Sequence, residues 1–487
     1  MPVGVEESHG AIFYPMLIFP RAEEAIFVLR KRSLMKDSID FARMDISQLF
    51  RRLLIPTVLG MVFSVAFVIT DGIFVGHGIG SDALAAVNIT SPLFLLSTGT
   101  GLMFGVGASV VASIHLSHGK IKTARINITQ AVVVSTLLLA LYSLLVSLFA
   151  PEVARLLGSS DRLLPPSVEY MRWFVPFLPF SALLSSGMFF IRLDGSPNYA
   201  MFCNVVPALI NILLDYVFIF ICGWGMTGAA LATSLGYVVG AAMVVVYLSR
   251  RRHVVRFCRV KTSRKSLLLT RRNVGYMCRL GLSSFLCEAA IATMMFSGNY
   301  VFIRYLGEDG VAAFSIACYF FPIIFMINNA IGQSAQPILS YNHGIGDLGR
   351  VRKAFHLALA TAVGVGACIF LLTLLFSRGI VAMFISAEYP AYGIAVDGLP
   401  LFAAGFVFFA VNIVAINYFQ SVERPRPAMA LTVLRGFVFM VGCFFGLPQV
   451  AGVPGIWLAV PLSEVLTFCV VIAIYARSKV SQTGAAN

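Results

Sequence analysis

The stretch NILLDYVFIF sets Asn211 and Asp215 four residues apart, one turn of a helix, inside a run with no other carboxylate and no base. Thr233 follows in the next apolar run, GAALATSLGY. Carboxylate, amide and hydroxyl oxygens together suit a hard cation such as sodium, and an aspartate whose charged form is disfavoured by desolvation suits a proton. The plain alternative is that Asn211 and Asp215 hydrogen-bond a neighbouring helix. Asp71, in AFVITDGIFVGHG, is a second acid in an apolar run. A charge in hydrocarbon costs about 2.5–3.5 kcal/mol even on lenient scales, so such acids are expected to face a bundle interior or a watery cavity. Glu288 and Glu464 stand in similar surroundings, and Asp397 falls near the outer end of a run. The nine cysteines are scattered without paired ligand spacing, and His77, His115, His118 and His343 lie in or beside connections. Neither a disulfide framework nor metal-ligand chemistry is expected from them.

The elements that must hold these acids are transmembrane helices. The chain is 59% apolar and 12% charged with a mean hydropathy of +0.87, whereas soluble domains average about 25% charged residues. Twelve continuous apolar runs recur, at 53–76, 84–113, 128–150, 167–191, 198–222, 227–248, 279–303, 310–339, 355–377, 395–420, 428–448 and 454–476. Each meets the roughly 20 residues a helix needs to cross a bilayer, and none shows the alternation of a membrane β-strand. The net charge of +14 is arranged for topology and not for nucleic acid. Lys and Arg collect in HLSHGKIKTAR, NHGIGDLGRVRKA, VERPRP and YARSKV, while VGHGIGSDA, CGWGMTG and GLPQVAGVPG carry none. Both termini are therefore expected on the cytoplasmic side of a multi-pass membrane protein.

Sliding the chain by 227 residues sets GSDALAAVNI (80–89) on GEDGVAAFSI (307–316) and Gly105 on Gly332, with one extra residue needed to set SPNYAM on RPRPAM. Two bundles of six spans follow, and because six is even the repeats are parallel. The expected organisation is a cytoplasmic amino-terminal extension (1–50), a first lobe (51–249), a basic cytoplasmic linker (250–278), a second lobe (279–477) and a cytoplasmic tail (478–487). The linker stretch 249–279, with eleven Lys or Arg and no acid, reads as a segment drawn to anionic lipid headgroups. A central cleft between two such lobes is where a transporter exposes one site to either side in turn. Without a phosphate-binding loop ending in Lys and Ser/Thr, an ion gradient is the expected energy source. No reactive pair or metal constellation points to an enzyme.

The chain resembles the multidrug and toxic compound extrusion (MATE) family over roughly residues 45–477. IPTVLGMVFSVAFVITDGIFVGHGIGSDALAAV, IRLDGSPNYAM and LINILLDYVFIFICGWGMTGAALAT carry the likeness in the first half. GQSAQPILSYNHG and NYFQSVERPRPAM are most similar to the MepA-like branch. The resemblance implies an all-α membrane protein of twelve helices in two lobes. It further implies a secondary antiporter that exports cationic or amphipathic organic compounds in exchange for Na+ or H+, without a cofactor and as a monomer. The family's ion cluster falls on Asp71, Asn211, Asp215 and Thr233, whereas Phe67 and Ser185 replace a tyrosine and an asparagine of the archaeal-type pattern. The internal repeat sets Gly298 opposite Asp71, and Gly442 or Cys443 opposite Asp215, so the second lobe does not duplicate the cluster.

Glu288 is expected to meet a cationic substrate or the coupling ion, or to be a satisfied structural carboxylate. Glu464 reads as structural. Asn328, Asn329, Gln336, Asn412 and Asn417 are candidate cavity donors and acceptors, each with helix-to-helix hydrogen bonding as its plain reading. The rival function is a flippase or exporter of a lipid-linked or other anionic metabolite in the same wider superfamily.

Overall fold

The computed structural model describes residues 39–260 and 263–483, and the side chains of Ser81, Leu84 and the residues from 477 onward are not described. The expected extension before residue 39 and the last four residues of the tail lie outside the described residues. Every regular element among the described residues is a helix.

Ten helices are long and apolar enough to cross a membrane, and a bent pair, Pro390–Ala403 with Phe406–Ser421, makes an eleventh span. The twelfth is hidden in Arg264–Gly344, whose 81 residues run through Gly307 at φ 65° and ψ −155°. A straight helix of that length measures about 120 Å against a hydrocarbon core of about 30 Å. The break at Gly307 turns it into two antiparallel spans. In chain order the spans are α1 (Ile46–Gly78), α2 (Ser81–Ser117), α3 (Ile121–Leu148), α4 (Leu164–Leu193), α5 (Pro197–Ile221), α6 (Gly225–Ser249), α7 (264–306) and α8 (308–344). The last four are α9 (Leu348–Ala382), α10 (Pro390–Ser421), α11 (425–451) and α12 (453–483). The all-α, twelve-helix reading of the sequence stands.

The repeat is written into the backbone. Gly80 and Gly307, Gly119 and Gly346, and Gly225 and Gly452 are pairs 227 residues apart, all with positive φ. Gly195 (φ 84°) pairs with Glu423 (φ 55°) at 228, the one extra residue the aligned motifs require. Each pair marks the same turn in the two copies, where the chain leaves one helix and must enter the next at a fixed angle. Glu423 adopts there a conformation that glycine takes at lower cost.

Each lobe has its own apolar core. In the second, Phe302, Phe314, Phe402, Phe409 and Trp457 interlock. Leu137, Leu141, Ile55 and Leu375 point outward at 58–72% exposure, the inside-out pattern of a lipid-facing surface. At the end carrying the basic connections the lobes are pressed together, and Met277 and Leu280 of α7 join the first lobe's core. A Cβ on Gly107 would overlap the Met277 carbonyl, and one on Gly281 would overlap the Met103 carbonyl. Small residues thus let the α2 and α7 backbones touch. Ser109 donates to Gln336 across the same seam at 3.3 Å, and these two residues are 227 apart, so the bond lies on the pseudo-twofold axis.

Two connections differ from expectation. Helix α7 begins at Arg264, so the second half of the expected 250–278 linker is helical. The first half is also no free strand of charge. Val255 N–H donates to Asp194 Oδ1 at 2.7 Å, Tyr247 donates to Asp194 Oδ2 at 2.8 Å, and His253 Nδ1 lies 2.9 Å from the same oxygen. Arg125 holds the Val254 carbonyl at 2.8 Å. The linker backbone is bound to the first lobe while Arg251, Arg252 and Arg259 stay exposed.

The second difference precedes α1, where residues 41–45 form a hook on the second lobe. Arg350 donates to the carbonyls of Phe41 (3.0 Å) and Met44 (2.8 Å), and Asn342 also donates to Phe41 (3.2 Å). Asp45 caps α1 by accepting from the Ser47 and Gln48 N–H groups, and Lys353 reaches its other oxygen at 2.8 Å. The Lys353 ammonium, with those two N–H donors, holds the Asp45 carboxyl down at about 2.

Candidate ion and substrate sites

Helices α1, α5 and α6 bring Asp71, Asn211, Asp215 and Thr233 together inside the first lobe. Asn211 Nδ2 donates to Thr233 Oγ1 at 3.3 Å. Thr233 has one hydroxyl proton for two acceptors, its own helix at Ala229 O (3.1 Å) and Asp71 Oδ1 (3.5 Å). Asp71 and Asp215 are close enough to interact electrostatically. Asp215 is fully buried, and both its oxygens and Asn211 Oδ1 lack a donor among the described residues. Three buried acceptors without a donor are far from the rule that buried polar atoms are paired.

The helix geometry explains why they converge. Asn211 and Asp215 share a face of α5 that packs on α6, where Gly236 sits close to the Pro207 carbonyl and the Asn211 Cβ. Directly after Asp215 the helix widens into a π turn over Tyr216–Ile221. Such bulges recur at functional sites, because the extra residue re-aims the side chains beside it. Tyr170 of α4 and Tyr237 of α6 stand near the cluster. Both were missed in the sequence, though Tyr237, one turn beyond Thr233, was legible. Ser185 packs beside Gly101 of α2, and Phe67 lies half-buried one turn before Asp71.

The second lobe holds a different ionic group. Arg435 Nε donates to Glu464 Oε1 at 2.6 Å, and Asn412 Nδ2 donates to Glu464 Oε2 at 2.8 Å. The guanidinium stacks 4.5 Å from the Phe409 ring centroid. Arg435 and Glu464 are both buried, so α10, α11 and α12 are joined by a dry ion pair. Arg435 was legible by the same rule as Glu464, as a charge inside an expected span.

Between the lobes, a small cavity is bounded by Leu102 and Val106 of α2, Ser284 of α7, Asn329 and Gln333 of α8, and Asn417 and Gln420 of α10. Of the six expected cavity residues, Asn329 and Asn417 line it. The other four are placed elsewhere. Asn328 is buried and donates to Ile324 O, Gln336 is bound to Ser109 at the seam, and Asn412 belongs to Glu464. Glu288 is half-buried off the lining and makes no hydrogen bond among the described residues. Helical rotation is the reason, since neighbours such as Asn328 and Asn329 point about 100° apart.

Comparison with known proteins bears on this architecture. The MatE family model matches twice, over residues 56–217 and 284–445, two copies offset by 228 residues. The chain belongs to the MatE family. The Multidrug export protein MepA of Staphylococcus saprophyticus is 22% identical over 93% of this chain and 95% of its own length. MepA of Staphylococcus aureus is 23% identical over 81% of this chain and 87% of its own. A FAD transporter of Shewanella oneidensis is 22% identical over 89% and 95%. The fold superposes on a multidrug resistance MATE family transporter solved in an outward-facing conformation, with a TM-score of 0.83, 23% identity, and 92% and 98% of the two chains covered. It also matches a superfamily transporter from Pyrococcus furiosus, described as having a binding pocket of reverse polarity, at a TM-score of 0.81 and 22% identity over 92% and 98%. This MatE-family chain is thus a membrane efflux transporter of the MepA-like kind, and its chemistry is transport and not catalysis.

Proposed function

We propose that this transporter is a secondary antiporter exporting cationic or amphipathic organic compounds from the cytoplasm in exchange for Na+ or H+. The observation that carries the reading is the buried trio of donor-free oxygens on Asp215 and Asn211 beside Asp71. A carboxylate without a donor in a low-dielectric site draws a proton or a hard cation, and the carboxyl, amide and hydroxyl oxygens here suit either. The four residues sit on three helices. When the site is charged and unneutralised, Asp71 and Asp215 repel, which favours moving α1 away from α5. Neutralisation removes that repulsion and favours closure of the three helices. Two packings of the first lobe with different ion affinity are what coupling requires, since equal affinity shifts nothing. The protein acts as a monomer in the bacterial inner membrane, with both termini cytoplasmic.

The test is uptake of a fluorescent organic cation into proteoliposomes with sodium and proton gradients imposed separately. One gradient should drive accumulation, and Asp215→Asn should abolish it while the protein stays monodisperse. Normal coupled accumulation by Asp215→Asn overturns the assignment. The second reading, export of a lipid-linked or other anionic metabolite, is supported by the likeness to a FAD transporter. It predicts uptake of an anion and indifference to the organic cation.

A further inference from the structure

Arg192 is a buried cation that the mechanism above does not use. It lies at the basic end of α4, 3% exposed, with Nε donating to Met188 O at 3.3 Å and the guanidinium 4.7 Å from the Phe189 ring centroid. Among the described residues it belongs to no ion pair, in contrast to Arg435. Its remaining contact crosses the seam between lobes, where Nη1 donates to Gln333 Oε1 at 2.9 Å.

That bond fixes what Gln333 offers. A guanidinium has only donors, so the carboxamide must turn its oxygen toward Arg192 and its Nε2 the other way. Gln333 lines the inter-lobe cavity, and among the described residues its side chain makes one hydrogen bond, the one Oε1 accepts from Arg192. Asn329, one turn earlier on α8, lines the same cavity and makes no hydrogen bond among the described residues. The named lining contains no acid. Gln333 therefore presents an N–H donor to the cavity backed by an uncompensated positive charge, which repels an ammonium and attracts an acceptor, and the free amide of Asn329 beside it can turn to do the same.

We propose that Gln333, oriented by Arg192, and Asn329 form a subsite that binds the carboxylate of an amphipathic substrate. This rests on the export reading and narrows it: substrates with a basic and an acidic end are preferred to purely cationic ones. Arg192 acts through Gln333 and is a positioning residue.

The test uses the full chain in detergent and two dyes, a carboxylate-bearing rhodamine and its methyl ester, titrated by fluorescence polarisation. The wild type should bind the acid about tenfold more tightly than the ester, the size of one charge-assisted hydrogen bond. Arg192→Gln should remove that preference, whereas Arg192→Lys should keep part of it. Gln333→Glu guards against misfolding, because the new carboxylate pairs with Arg192. Its loss of affinity for the acid should exceed its loss for the ester by at least about tenfold. Equal binding of both dyes by the wild type, or equal losses for both in Gln333→Glu, overturns the subsite. No gradient enters the measurement. Selective binding of the acid without gradient-driven movement would refute antiport and keep the subsite, and driven uptake of an organic cation without acid preference would do the reverse.

Discussion

Both lobes bury a carboxylate beside an asparagine, yet they treat it in opposite ways. In the second lobe Glu464 has its own cation, Arg435, and both its oxygens accept hydrogen bonds. In the first, Asp215 has a second acid as neighbour and no donor on either oxygen. A neutralised ion pair is part of the scaffold and stays put. An acid next to another acid must find its positive charge elsewhere and can give it back. On the antiport reading proposed above, one fold repeated twice carries one fixed and one exchangeable neutralisation, and the internal repeat records the divergence in Gly298, which aligns with Asp71.

Substitutions can break this contrast. The largest expected effect is on transport: Asp215→Asn should reduce gradient-driven uptake to background. Removing a donor-free buried charge should at the same time raise the melting temperature in ion-free buffer. A lower melting temperature there would place Asp215 in the scaffold with Glu464. Next comes Glu464→Gln, which strands Arg435 and should destabilise the protein by about 3–5 kcal/mol in denaturant or thermal titration. The joint replacement Arg435→Met with Glu464→Leu should recover most of that loss and keep coupled uptake. Thr233→Ala should weaken the coupling ion's apparent affinity by up to about tenfold, the scale of one hydrogen bond, read from the ion dependence of uptake.

The smallest effect belongs to Asp45. Its carboxyl is held below its ordinary value, so its stabilisation is complete above about pH 4 and is lost as the pH falls through about 2. The melting difference between wild type and Asp45→Asn should follow that course and shrink in high salt, since both partners are more than half exposed. A difference unchanged by salt would refute the ion pair as its source.

The spans, the two lobes and the four first-lobe residues were legible because long apolar runs, a fixed offset and acids in hydrocarbon are properties of the chain itself. The π turn after Asp215 was not legible, because YVFIFI carries no residue that marks a widened helix. Cavity residues were only half legible for a related reason. Asn412 and Asn417 look alike in NIVAINYFQ, and only packing shows that one serves Glu464 and the other faces the cavity. Arg192 stood at the edge of an expected span, where a base passes for a topology signal. Its role depends on Gln333, 141 residues away.

The hook at residues 41–45 sets a practical boundary for protein engineering. Arg350 and Asn342 of the second lobe grip main-chain carbonyls there, while Phe41 packs its ring on Tyr341 and Asp45 bonds Lys353, so the grip needs the whole segment. Affinity tags and start codons placed upstream of Phe41 leave it whole. A start at Ile46 deletes the handhold and leaves a guanidinium searching for oxygens beside the seam between the halves.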